Sequence, residues 1–197
     1  WMFNVAQSEG KRLVINMSWG LHYMDNLTGN GRLAQAMQSL SDQGVVFVTS
    51  AGNNGDVNFH IEHNFQQDTI HSEITFRDGA AHYWGQSISM TSSENESFAF
   101  SFTICNNNYA TLAESPMYHT LQGSGYIDTF LVVNNSDTVF YNVETDQQNI
   151  HNQRPEVRFR VQYKNNYRFV LNVTAPSGDF HAWNLAELTT GVGNWGA

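Results

Sequence analysis

The segment of this sequence best suited to chemistry is a turn at residues 50–55, which reads Ser-Ala-Gly-Asn-Asn-Gly. It directly follows an apolar, β-branched run at residues 45–48. Asparagine side chains offer neutral amide donors, and glycines permit a tight backbone turn. Open α/β sheets place their ligand sites just beyond the carboxyl ends of parallel strands. We therefore predict a ligand site at this turn.

Two apolar runs and a helix between them should position this turn. Residues 11–18 contain a short apolar run after Gly10, which predicts a buried strand. In residues 32–43, apolar side chains recur at steps of three and four, which predicts an amphipathic helix that ends before Gly44. Strand, helix and strand within about forty residues form a βαβ unit. The two strands should therefore be parallel and buried on both faces.

From about residue 70 the hydrophobic period changes to two, which is typical of strands with one buried face. The residues Lys164, Asn165 and Asn166 read as a hairpin loop between two such strands. Many short strands without helices predict an antiparallel β-sandwich or jelly roll. The predicted strands are residues 73–76, 87–91, 98–104, 129–133, 138–143, 157–163 and 167–173.

The predicted fold class is thus α/β plus all-β. A partial βαβ unit occupies residues 1–57, a jelly-roll-like β-sandwich occupies residues 58–185, and a glycine-rich tail occupies residues 186–197.

Composition and charge exclude several classes of function. Nine Lys and Arg against eighteen Asp and Glu give a formal net charge of -9, which disfavours a nucleic-acid partner. No stretch approaches the roughly 20 apolar residues of a membrane-spanning helix, so no membrane partner is expected. The single cysteine, Cys105, excludes an internal disulfide framework and any multi-cysteine metal site.

Two motifs that flank the predicted helix resemble the middle of the subtilisin-like serine proteases, the subtilases. Residues 14–20 read V-I-N-M-S-W-G, and residues 44–55 read G-V-V-F-V-T-S-A-G-N-N-G. The family shows V-I-N-M-S-x-G, then a helix, then G-V-x-x-V-x-A-A-G-N-x-G, in the same order and spacing. The β-rich part resembles the jelly-roll insertion of clostridial and Bacteroidetes subtilases, which implies a bacterial parent.

The resemblance implies a role for each matching residue. Asn53 matches the asparagine whose amide donates a hydrogen bond to the tetrahedral oxyanion. The segment after the first strand matches the one that pairs with substrate as an added β-strand, and the segment before Asn53 matches a wall of the pocket for the substrate side chain. The implied substrate-binding residues are Ser18, Trp19, Gly20, Ser50, Ala51 and Gly52.

The family's aspartate, histidine and serine motifs are all absent from this sequence. In subtilases the first two precede the matched region and the third follows it, so we expect an internal fragment that is inactive alone. Residues 186–197 would then lead back toward the protease core. The resemblance implies a peptide or protein substrate, the remainder of the parent protease as partner, and a secreted or cell-envelope location. No cofactor or metal is implied for this chain, although the parent could hold structural calcium.

Three further clusters have less specific interpretations. His60, His63 and His71 could share a metal ion, but polar loop histidines are the simpler interpretation. Five cations, three of them predicted on adjacent strands, form either a docking patch or a solvated sheet face. Aromatic side chains could form a platform for a glycan, which makes a β-sandwich binding module the alternative function. The cations are Arg154, Arg158, Arg160, Lys164 and Arg168; the aromatics are Tyr83, Trp84, Tyr109, Tyr126 and Tyr141.

Overall fold

The computed structural model describes residues 1–18, 27–29, 31–76, 84–150, 152–186 and 193–196. The chain divides into two compact units. Residues 1–55 form one, which we call the α/β unit, and residues 56–197 form the other, which we call the sandwich unit.

The α/β unit contains two helices and two strands within the part that the structure describes: α1 (Met2–Ser8), β1 (Val14–Met17), α2 (Arg32–Ser41) and β2 (Val46–Thr49). The strands β1 and β2 pair in parallel. Gly44, with φ of +88°, follows α2 and adopts the left-handed conformation that ends many helices. The parallel pair and the helix between its strands confirm these sequence predictions.

The prediction that β1 and β2 are buried on both faces is wrong. Val14 pairs directly with Val46, and Val48 lies two residues further along the same face. These three valines are 62, 53 and 49% exposed. The opposite face carries Ile15, Met17 and Phe47, which are half-buried. Among the described elements of this unit, α2 packs against β2, and one packed helix covers only one face of a two-stranded sheet.

The sandwich unit consists of twelve strands, β3 to β14, within the part of the chain that the structure describes. The first sheet has the order β3-β13-β5-β11-β10-β9. The second has the order β14-β4-β12-β6-β7, and β8 also pairs with β6. All pairings within both sheets are antiparallel. The strands are β3 (His60–Phe65), β4 (Asp68–Thr75), β5 (Gly85–Ser92), β6 (Ala99–Cys105), β7 (Thr111–Glu114), β8 (Tyr118–His119), β9 (Gly125–Val133), β10 (Asp137–Asp146), β11 (Glu156–Gln162), β12 (Arg168–Ala175), β13 (Gly178–Ala186) and β14 (Asn194–Gly196).

The two sheets enclose one aromatic core. Phe102 from β6 contacts Phe159 from β11, with ring centroids 4.7 Å apart, and Tyr141 from β10, at 4.9 Å. Both phenylalanines are fully buried. Because β6 belongs to one sheet and β10 and β11 to the other, these contacts make the unit an antiparallel β-sandwich.

The predicted hairpin at Lys164, Asn165 and Asn166 is wrong. Strand β11 pairs with β5 and β10, whereas β12 pairs with β4 and β6. The loop therefore joins one sheet to the other. Alternation of apolar residues shows which face of a strand is buried, but it does not show which strand lies beside it.

The first and last described segments of the sandwich unit are hydrogen-bonded to each other. The backbone N–H of Trp195 donates to the Asn58 carbonyl at 3.0 Å, and its indole Nε1–H donates to the Phe59 carbonyl at 3.1 Å. Strand β14 also pairs with β4. Residues 193–196, at the end of the predicted tail, therefore belong to the sandwich unit.

Candidate functional site

The carboxyl ends of β1 and β2 lie side by side. Their register pairs Met17 with Thr49 at the last position of both strands. Ser18 and Ser50 follow, and both are exposed. The two predicted substrate segments therefore start from the same edge of the small sheet, as parallel pairing requires.

The turn after β2 depends on a glycine. Gly52 has φ of +88°, and a Cβ built there would meet no atom within 4 Å. Glycine is thus required at this position for its backbone conformation, because residues with side chains rarely adopt this φ. Among the described residues, the side chain of the next residue, Asn53, has no hydrogen-bond partner, and it is exposed. An amide donor therefore projects from a glycine-shaped turn at the end of a parallel strand.

Of the predicted substrate-binding residues, Ser18, Ser50 and Ala51 are exposed at these strand ends. Trp19 and Gly20 lie outside the described residues. The described part of the site carries no ionised group, so its chemistry is that of neutral donors, acceptors and small side chains.

The three histidines of the predicted cluster have different hydrogen-bond partners. His63 Nε2 is 2.8 Å from the Asp68 carboxylate, whereas His71 bonds the Asn172 side chain from the second sheet. His60 and His63 are three residues apart on β3, so they project to opposite faces. Within the described ranges, no group of three His, Cys, Asp or Glu residues could hold a metal ion.

The predicted cation patch separates into local contacts on different sheets. Arg168 on β12 donates to the Glu73 carboxylate at 2.8 Å. Lys164 Nζ lies 2.8 Å from Asp137. Arg160 on β11 stacks over the Trp84 ring at 5.1 Å. The predicted adjacency of the arginine-bearing strands is wrong for the same reason as the hairpin.

The described members of the predicted aromatic platform do not form one surface either. Tyr141 points into the core, and Tyr109 stacks with Arg168 at 4.7 Å. Tyr126 lies on β9 and is 61% exposed. Tyr83 lies outside the described residues. The described members thus face different surroundings.

Sequence reasoning missed a ring stack on the first sheet. His60 stacks on Trp183, with centroids 4.9 Å apart, and its Nε2 lies 3.1 Å from His181 Nδ1. Burial, and next the proximity of His181, lower the pKa of His60. Strand β13 carries His181 and Trp183. Their alternation with Phe180 and Ala182, which are buried, is the sequence pattern that could have predicted this strand and the stacked rings on it.

None of the helices in the described parts of the chain has the length and hydrophobicity that a bilayer crossing needs.

Comparison with known proteins gives a consistent result. The sequence model of the subtilase family matches residues 3–187. Among solved structures, the CspB protease of Clostridium perfringens is similar, with a TM-score of 0.71 and 14% sequence identity. The similarity covers 98% of this chain but only 39% of that protein, and at this identity it concerns the fold alone. No curated protein matches. Because the family model spans nearly all of the sequence, the chain belongs to the subtilase family.

Proposed function

We propose that this chain is the oxyanion-bearing segment of a subtilisin-like serine endopeptidase. The parent enzyme would hydrolyse peptide bonds through an acyl-enzyme intermediate. The observation that carries the proposal is the position of Asn53, which is exposed after a glycine turn at the end of a parallel strand.

The chemistry suits this position. When a nucleophile attacks the scissile carbonyl, negative charge develops on its oxygen. A neutral amide already aimed at that oxygen stabilises the charge without reorganising, and it does so more strongly in the transition state than in the ground state. In our proposal, Asn53 is that donor.

The strand ends would hold the substrate. Ser18, Trp19 and Gly20 would pair with the peptide as an added strand, so that main-chain hydrogen bonds provide affinity for many sequences. Ser50, Ala51 and Gly52 would line the pocket for the side chain before the scissile bond, where small residues leave space.

The catalytic triad would come from the rest of the parent protease, and the chain alone would be inactive. Two observations support a longer parent. The chain spans only 39% of the CspB protease. Moreover, Val14, Val46 and Val48 form an exposed apolar sheet face, of the kind that another layer of an α/β protein covers.

The sandwich unit would be a jelly-roll insertion between the oxyanion turn and the rest of the protease domain. Its antiparallel strands and self-contained core support a structural role. We also propose that the parent is a bacterial protein that acts outside the cytoplasm or in the cell envelope.

Labelling with a fluorophosphonate probe tests the proposal. The chain alone should remain unlabelled, and the complete parent, with the family's missing flanks, should be labelled at a serine outside this chain. In the parent, Asn53→Ala should lower kcat about 10²–10³-fold, the magnitude known for this donor in subtilisin, with little change in KM.

Asn54→Ala in the same turn is the matched control and should keep kcat near the parent value. If Asn53→Ala also kept full turnover, Asn53 would not be the oxyanion donor. If the parent was never labelled, the assignment as a serine hydrolase would fail.

A further inference from the structure

Two histidines meet on the first sheet of the sandwich unit. His60 on β3 and His181 on β13 lie on the sheet face opposite the one that carries the buried Phe180 and Ala182. Their facing ring nitrogens, His60 Nε2 and His181 Nδ1, are 3.1 Å apart. We propose that these two nitrogens bind one divalent transition-metal ion of the kind that imidazole prefers: Cu²⁺, Ni²⁺ or Zn²⁺. This site does not depend on the proposed protease function.

The distance between the two nitrogens suits a shared ion. Bonds from such an ion to an imidazole nitrogen are about 2.0–2.1 Å long. Two bonds of that length to nitrogens 3.1 Å apart meet at an angle of about 100°, which lies between square-planar and tetrahedral coordination. The two nitrogens therefore already have the separation that two ligands of one ion require.

The fold brings these histidines together across two paired strands rather than along one strand. Trp183 lies directly opposite His60, and Glu62 lies directly opposite His181. The histidines are thus diagonal neighbours, at a separation that ring side chains can span. Because β13 pairs with β5 as well as with β3, hydrogen bonds hold the backbone of His181 on both sides.

Trp183 orders the two imidazole rings. Its ring plane is 10° from that of His60 and 17° from that of His181, and the two imidazoles are 11° from each other. The facing nitrogens share a hydrogen bond, for which one ring supplies the N–H. To bind an ion, that ring must carry its proton on its other nitrogen, and both rings must turn until their lone pairs meet. His60 is exposed, so an ion can reach the pair from solvent.

The ligand chemistry determines which ions fit. Imidazole nitrogens suit Cu²⁺, Ni²⁺ and Zn²⁺, whereas Ca²⁺ and Mg²⁺ take oxygen ligands and should not compete. Glu62 lies two residues from His60 on the same sheet face and places a negative charge on that face. Among the described residues, no third ligand converges with the two histidines. Water would therefore complete the coordination.

A bound ion would tie β3 to the rest of its sheet. This strand is at the edge and pairs with β13 among the described strands. The ion would link residues 60 and 181, and metal clips that close long loops restrict the unfolded chain most. We therefore expect the ion to stabilise the sandwich unit and to oppose local opening of β3.

Calorimetric titration of the full chain with Cu²⁺, Ni²⁺ and Zn²⁺ tests the site, at mildly alkaline pH, where imidazole is neutral. Cu²⁺ should bind most tightly, and Ca²⁺ and Mg²⁺ should give no heat of binding. His60→Gln and His181→Gln should each weaken binding at least about tenfold, which corresponds to about 1.4 kcal/mol. The double variant should bind no more weakly than either single variant, because one substitution already removes the chelate.

His119 supplies the matched control, because it is an exposed histidine on β8. His119→Gln should bind the three ions as the unaltered chain does. Urea denaturation without metal should show that each variant is folded, and if one single variant does not fold, the other decides the test.

Two further measurements distinguish a chelate from scattered binding to surface histidines. Electron paramagnetic resonance of the Cu²⁺ complex should show coupling to two imidazole nitrogens, and to one in either single variant. Zn²⁺ should slow hydrogen exchange of the β3 amides in the unaltered chain but not in His60→Gln. Unchanged affinity in both single variants, an equal loss in His119→Gln, or no binding of any of the three ions would overturn the site.

Discussion

The sandwich unit and the α/β unit bury their apolar side chains to very different extents. In the sandwich unit, Phe102 and Phe159 are 0% exposed between two sheets. In the α/β unit, three valines on one sheet face are about half exposed or more, and neither helix contains a buried residue. The sandwich unit therefore completes its own core, whereas the described part of the α/β unit leaves an apolar sheet face exposed.

The difference shows that the two units cover their apolar surface to different extents. In the sandwich unit the central strands pair on both sides, and the two sheets cover one another's apolar faces. Parallel sheets are usually covered on both faces, whereas β1 and β2 leave one face exposed. The candidate site lies in this more exposed unit, and binding segments of proteins often belong to regions of low local stability.

Hydrogen exchange on the whole chain should show the largest contrast. Amides of the central strands β6 and β12 should exchange only through global unfolding, at about 5–15 kcal/mol. Amides of β1 and β2 should exchange through local opening, at free energies several kcal/mol lower. Equal protection in both units would contradict the comparison.

A core truncation should destabilise the sandwich unit almost as strongly. Phe102→Ala removes a fully buried ring that contacts Phe159 and Tyr141, so the free energy of unfolding should fall by about 3–5 kcal/mol. Urea denaturation measures it. The matched surface change, Val48→Ala, should stay within about 0.5 kcal/mol, and a large effect there would mean that the valine face is covered.

A glycine substitution gives a smaller test of packing. A Cβ on Gly193 would lie 2.5 Å from Asn184 Oδ1 and Gln86 Nε2, inside the buried end of the sandwich. Gly193→Ala should therefore cost about 1–3 kcal/mol in urea denaturation. Gly125→Ala is the control, because its Cβ would approach only Thr145 Oγ1 at 4.0 Å. Similar costs for both would refute close packing around Gly193.

The histidine pair should give the smallest effect, as a pH dependence of stability. Burial and His181 lower the pKa of His60 below its usual 6.5, so the unfolded state binds the proton more readily. Stability should fall as pH drops through 6.5 toward the folded pKa, and then level off. Urea midpoints across this window should show a weaker slope in His60→Gln than in the control His119→Gln. A slope unchanged by His60→Gln would exclude His60 as its source.

The sequence predicted the local features of the α/β unit well. Its helix follows from apolar residues at steps of three and four, and its strands follow from short β-branched runs. Gly44 and Gly52 mark where the chain bends, because glycine readily adopts a positive φ. It overestimated burial, because an apolar strand indicates what could be covered without showing that a covering layer is present.

Long-range arrangement in the sandwich unit could not be predicted in the same way. The strands that carry Phe159 and Phe169 show the same alternation of apolar and polar residues, although they lie in different sheets. Strand β3 was missed because His60, Glu62 and Asn64 occupy its outward positions, and an edge strand with a polar face resembles a loop. The position of Asn53 beyond a parallel strand was predictable, because motif and strand end coincide there.

The hydrogen bonds from Trp195 to Asn58 and Phe59 have a consequence for the proposed insertion. They hold the first and last described segments of the sandwich unit side by side. In our proposal, an ancestral protein could therefore accept the unit within a single surface loop without separating the strands on either side of that loop. Natural recombination, or an engineer, could remove it by the same junction.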